Sequence, residues 1–217
     1  MSIPPLYLLS GLGADERLFR FLQLRHPNPI VIRWIKPFPN ESLPAYSRRI
    51  LAQITVDSEP PVLVGLSFGG MVAQEIAKLL PVKKVILLSS LADTSDLYWY
   101  YRLGGTLQLQ KWLPFGLAKG WTGPGAWLFG AKTKEEKKIF EAIIRDTDIG
   151  FLRWALSAIL RWRHKALPNE VVIIHGDKDK ILPVPQYPEV YLFKGGEHLI
   201  VMSHAAEVSR IINQFLG

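Results

Sequence analysis

The chain of 217 residues contains no cysteine. Disulfides, thiol nucleophiles and cysteine-bound metal are therefore excluded, and a reducing, cytoplasmic setting is the expectation. Long apolar runs are also missing: none reaches the roughly 18 residues needed to span a bilayer. The opening stretch MSIPPLYLLSGLGADERLF has no basic flank and carries two early prolines, so it reads as a first strand and not as a secretory signal. No H-E-x-x-H or comparable histidine spacing occurs, so neither a metal nor an organic cofactor is expected. Aromatic-basic motifs of nucleic-acid modules are absent as well.

Acidic residues are fewer than basic ones, and the formal net charge is +7. The excess is local, because residues 91–165 hold 12 Lys/Arg against 7 Asp/Glu. That stretch also carries six of the seven tryptophans. The expected partner is a small-molecule substrate, with no nucleic acid and no stable membrane insertion.

Composition is 48% apolar and 21% charged, as in ordered globular chains. Six short apolar runs recur between turn signals: 4–9, 29–35, 61–66, 82–89, 171–175 and 190–193. Near-continuous apolarity, without alternation, predicts strands covered on both faces, as in a parallel sheet. Helical patterns fall between them, at about 42–53, 68–80 and 203–216. The expected fold class is α/β, a mainly parallel sheet of about six strands flanked by helices.

Residues 91–167 interrupt the alternation. Thr133-Lys134-Glu135-Glu136 is a capping-box pattern, and Asp148 is placed to cap a further helix. Gly120–Gly130 reads as a loop or hinge. The segment is far longer than an ordinary connection. A core of residues 1–90 and 168–217 with a helical insertion at 91–167 is expected.

The hexapeptide GLSFGG at 65–70 follows an apolar run and precedes a helical pattern. Glycine two before and two after Ser67 would clear space for a serine on a tight strand-to-helix turn. An ordinary glycine turn and a phosphate cradle are the rivals. The Lys-Ser/Thr ending of a P-loop is missing, and Glu16 stands where the Ser10–Asp15 stretch would need a third glycine. A nucleophilic serine needs a base, and the base needs a carboxylate. Of the five histidines, His198 in GGEH is best placed. For the acid, Asp179 ranks ahead of Asp93 and Asp177, since Asp177 can cap the tight turn.

The order Ser67, Asp179, His198 resembles that of the α/β-hydrolase superfamily. The LLSGLG loop, the GLSFGG elbow, the HGDKDKILP loop and GGEH are similar to its motifs over nearly the whole chain. The resemblance implies a lid at 91–167 and an oxyanion hole from the backbone N–H groups of Leu12 and Phe68. On that resemblance the first run is expected to match the family's third strand, without the usual N-terminal hairpin before it. Many members have His-Gly where this chain has Ser10-Gly11. Most of the aromatics at 91–167 are expected to pack lid on core, with Tyr98 and Tyr101 lining a pocket and Arg102 a candidate for a substrate carboxylate. The implied activity is hydrolysis of a small carboxylic ester. Other triad chemistry (thioester or C–C hydrolysis, lyase, acyl transfer) and a non-catalytic ligand-binding protein are the alternatives.

Overall fold

The computed structural model describes residues 3–55, 59–106, 122–165, 168 and 170–216, with the side chains of residues 102, 105 and 106 outside that set. Six strands form one sheet: β1 (Leu6–Leu9), β2 (Ile30–Val31), β3 (Val62–Leu66), β4 (Lys84–Leu88), β5 (Val171–Gly176) and β6 (Val190–Phe193). Their order is β2-β1-β3-β4-β5-β6, and every neighbouring pair is parallel. This is the α/β sheet expected from the sequence.

Strands β1 and β3 are buried at every residue, whereas edge strand β6 is largely exposed. Unbroken apolarity thus marks cover on both faces for β1 and β3, but not for β6, whose run VYLF lies at the sheet edge. One face carries Leu8, Val64 and Ile86 against Val208, Ile211 and Ile212 of the last helix, α8 (Ala205–Gln214). The other carries Tyr7, Leu63 and Leu87 against α1 (Leu43–Ile50) and α2 (Phe68–Ala77). Ser42 caps α1 by accepting from Ala45 N, and Pro44 sits in its first turn, where no intrahelical N–H is needed. Helix α2 is short of polar surface for a reason: nine of its ten residues are buried.

Between β4 and β5 come α3 (Trp99–Thr106), α4 (Thr122–Phe129), α5 (Lys134–Asp146) and α6 (Ile149–Arg161). The capping box at Thr133 and Glu136 is formed, and Asp148 accepts from Phe151 N. Helix α6 packs beside α1 and α2. Its Trp154 donates to Glu41 O at 2.9 Å, within a cluster holding Tyr46, Phe68 and Phe151.

Three boundaries differ from expectation. The 120–130 stretch is not a loop: residues 122–129 are helical, with Pro124 tolerated in the first turn and Ala126 buried. Residues 120 and 121 lie outside the described set. The closing helix is broken at His204, leaving a short α7 (Ile200–Ser203) before α8. Helix α2 stops at Ala77, three residues early. The aromatics of the insertion divide: Trp154 and Trp162 are buried, Trp99 and Trp127 exposed, and Trp112 and Trp121 lie outside the described residues. Among the described residues, no helix is long and apolar enough to cross a membrane.

Candidate active site

The chain runs outward from β1 to β2 and then returns to place β3 on the other side of β1. Such a reversal opens a crevice at the carboxyl ends of the two central strands. Ser67 follows β3 there, and the loop of residues 10–14 follows β1.

Ser67 has φ 52° and ψ −116°, a left-handed conformation costly for a residue with a side chain. Its surroundings hold it there. Ser67 N donates to Leu88 O at 2.8 Å, and Ser90 Oγ donates to Ser67 O at 2.7 Å. A Cβ on residue 65 would lie 2.5 Å from Gly70 Cα, and one on residue 69 would lie 2.2 Å from Leu9 O. The glycines around Ser67 therefore serve close backbone approach, of the turn to its own helix and of the helix to β1.

Three side chains from separate loops meet. Ser67 Oγ lies 2.9 Å from His198 Nε2. His198 Nδ1 lies 2.8 Å from Asp179 Oδ2. His198 and Asp179 are both buried. Asp179 Oδ1 accepts from Ile181 N and Leu182 N at 2.8 and 3.0 Å. Burial works to raise the Asp179 carboxyl, but the His198 charge and hydrogen bonds from His175, His198 and Leu182 N together hold it well below the usual carboxylate range.

The other candidates are engaged elsewhere. Asp93 caps a 3-10 turn by accepting from Ser95 N. Asp177 Oδ1 accepts from Gly195 N at 2.7 Å, on the loop after β6 and not within its own turn, where Asp179 Oδ1 takes the capping bonds. His26 faces Pro4 O, and His204 pairs with Ser203 Oγ at 2.9 Å. His164 is buried against Trp162, with rings stacked at 4.8 Å.

Leu12 N and Phe68 N face no protein acceptor among the described residues. The loop bearing Leu12 is braced three ways. Ser10 Oγ donates to Ala14 O at 2.6 Å, Trp34 Nε1 donates to Gly11 O at 3.3 Å, and Thr147 Oγ1 donates to Gly13 O at 2.9 Å. Ser10 thus acts as scaffold for this loop.

A cavity of about 310 Å³ opens on Ser67 and His198. Leu12, Met71, Phe129, Phe140, Ile159 and Leu182 are among its lining residues. No charged side chain lines it among the described residues. Tyr101 faces it, and burial together with Tyr100 and the Asp179 charge pushes its hydroxyl up to about 12. Tyr98 does not line the cavity and corrects the expectation: it stacks on Tyr100 at 5.2 Å, and Tyr100 takes the lining position. The Arg102 side chain lies outside the described residues.

Residues 6–211 match the model of the alpha/beta hydrolase family. The chain belongs to that family. Solved structures resemble this alpha/beta hydrolase over nearly its whole length. A hydrolase from Oleispira antarctica is 14% identical with a TM-score of 0.76, covering 100% of this chain and 92% of its own. A thermophilic esterase is 18% identical with a TM-score of 0.67, covering 97% and 88%. An epoxide hydrolase from Bacillus megaterium is 16% identical with a TM-score of 0.69, covering 99% and 94%. At these identities the likeness is one of fold. No curated protein matches the chain in sequence.

Sequence reasoning missed several residues of this alpha/beta hydrolase site. The sequence singles out His198 alone, yet His175 Nε2 lies 3.2 Å from Asp179 Oδ2. Its four-residue spacing from Asp179 was the available signal. Ser90, Trp34 and Thr147 reach the site only through long-range contacts and leave no local trace.

Proposed function

We propose that this chain is a serine hydrolase that cleaves a small carboxylic ester through Ser67, His198 and Asp179. The observation that carries the reading is the continuous hydrogen-bonded line from Ser67 Oγ through His198 to Asp179 at the mouth of an apolar cavity. His198 Nε2 takes the Ser67 proton as Oγ attacks the ester carbonyl. Nδ1–H stays on Asp179, which orients the ring and stabilises its cation. The N–H groups of Leu12 and Phe68 receive the tetrahedral oxyanion, with the N-terminus of α2 behind Phe68 favouring negative charge. Each such donor contributes about 2.7–4 kcal/mol where it has been measured. His198 then protonates the leaving alkoxide. Water, activated by the same imidazole, releases the acid from the acyl-enzyme.

The strained Ser67 backbone favours this reading over a binding role, since strain of roughly 1–3 kcal/mol persists where function uses it. The apolar lining favours an uncharged acyl group. Residues 91–167 act as a lid over the core of 1–90 and 168–217, in which α4 and α5 supply Phe129 and Phe140 to the cavity. Hydrolysis of p-nitrophenyl esters from acetate to decanoate tests the proposal. Ser67→Ala should abolish turnover, while Ser203→Ala, which removes the other serine paired to a histidine, should keep it. Equal turnover in the two variants overturns the assignment.

A further inference from the structure

The proposed mechanism uses one imidazole on Asp179, and the structure holds two. His175 ends β5 and is fully buried. Its Nε2 lies 3.2 Å from Asp179 Oδ2 and 3.3 Å from Leu182 O. Both partners are acceptors, so Nε2 carries the ring proton. Nδ1 is buried with no hydrogen-bond partner among the described residues, so a proton there would be unsatisfied. The tautomer follows from the surroundings.

Asp179 Oδ2 therefore accepts from His198 Nδ1 and lies within reach of the His175 Nε2–H, which it shares with Leu182 O, while Oδ1 accepts from Ile181 N and Leu182 N. We infer that His175 is a positioning residue for the triad. Its Nε2–H fixes the rotation of the Asp179 carboxylate and, by sharing Oδ2, moderates the pull on the His198 Nδ1–H. This rests on the serine-hydrolase reading. A carboxylate whose charge is partly taken up by a second donor stabilises an imidazolium less. His175 thereby weakens the hold of Asp179 on the His198 ring.

The other titratable groups around this pair are few. Tyr101 feels the Asp179 charge across the cavity. Lys180 and Glu197, next to Asp179 and His198 in sequence, are paired at 2.7 Å, and Lys132 approaches the same Glu197 at 3.4 Å. Asp177 is bound to Gly195 N, with Lys178 beside it. None of these donates to Asp179 Oδ2 among the described residues.

The test is the rate at which a fluorophosphonate probe labels Ser67 across pH, in wild type, His175→Phe and His175→Gln. Phenylalanine keeps the ring volume without the donor, and the glutamine amide can place an N–H near the Nε2 position. In His175→Phe the acid limb should move up by about half to one pH unit, and the plateau rate should fall about 10-fold. His175→Gln should recover both. A wild-type profile in His175→Phe overturns the inference, and so does a glutamine variant that behaves like phenylalanine. Should the phenylalanine variant fail to fold, nitrogen NMR of the wild-type ring decides. A proton on His175 Nε2 supports the role, and a proton on Nδ1 overturns it. Ser67→Ala in parallel separates the two levels. Undiminished labelling in that variant refutes the serine nucleophile itself, whereas lost labelling with an unmoved His175→Phe profile refutes only the role of His175.

Discussion

Replacing Gly69 by alanine adds one methyl group where two backbones meet. The new Cβ would lie 2.2 Å from Leu9 O and 2.5 Å from Ser10 O. Nonbonded contacts to carbon are comfortable from about 3.5 Å, so the shortfall is about 1 Å. Neither side yields by rotating a side chain. Leu9 is locked into the sheet by its register with Gly65, and α2 is buried on nearly its whole surface. Helix α2 must withdraw from β1 and carry Ser67 and Phe68 with it. A displacement of that size breaks the 2.9 Å contact of Ser67 Oγ with His198 Nε2. Overpacking costs about 1–3 kcal/mol of stability, and a 1 Å misplacement of reacting groups costs about 100-fold in rate. Urea unfolding and kcat/KM on the best p-nitrophenyl ester measure both effects, with Ser67→Ala as the floor. Gly123→Ala is the control. A Cβ there meets nothing within 4 Å, and its place in α4 favours alanine by about 0.5–1 kcal/mol. A Gly69→Ala enzyme with wild-type unfolding midpoint and wild-type kcat/KM would refute the close-approach reasoning.

Asp179→Asn should lower kcat by about 10 000-fold on esters, the size of this swap in another Ser-His-Asp enzyme, because one amide cannot accept from His175, His198 and two backbone N–H groups together. Since the folded carboxyl titrates below its ordinary 3.8, its stabilisation is present above that pH and lost as pH falls through the lower folded value. The stability gap between wild type and Asp179→Asn should therefore shrink in acid titrations followed by circular dichroism. His164 is depressed from its ordinary 6.5 by burial and by Lys78, against the opposing pull of Glu75 and Asp93. The unfolded chain then binds more protons below pH 6.5, so this contribution is full above 6.5 and lost on acidification. His164→Phe, which keeps the stack on Trp162, should lose less Tm than wild type between about pH 7.5 and pH 5.5, and parallel losses would refute the argument. Ile159→Trp fills part of the 310 Å³ cavity and should move the preferred acyl chain to shorter lengths in the ester series.

Much of the fold was legible because its rules are local. Runs such as Val62–Leu66 are apolar without alternation since helices cover both faces of the strand, and that pattern needs no partner to be read. The caps at Ser42, Thr133 and Asp148 act within three residues of themselves. The helix at 122–129 was hidden by two glycines and a proline, whose low propensity is offset by burial of Ala126 and by the Phe129 ring against Phe140. Tyr98 and Tyr100 lie in one aromatic run, whose facing the sequence leaves open. The helix begins only at Trp99, and its phase decides which ring faces the cavity.

The sequence by itself determined a parallel α/β sheet and a serine on a glycine-cleared turn. Both follow from steric and burial rules that act between near neighbours in the chain. Only the tertiary structure decided which carboxylate meets His198. Asp93 and Asp179 each follow a central strand, and the choice depends on how the loops after β4, β5 and β6 are brought together. It also placed His175 on the same oxygen as His198, and closed the contact of Ser67 with a histidine 131 residues away. Those are meetings between separate loops, set by the summed packing of the sheet, so no stretch of the chain carries them alone.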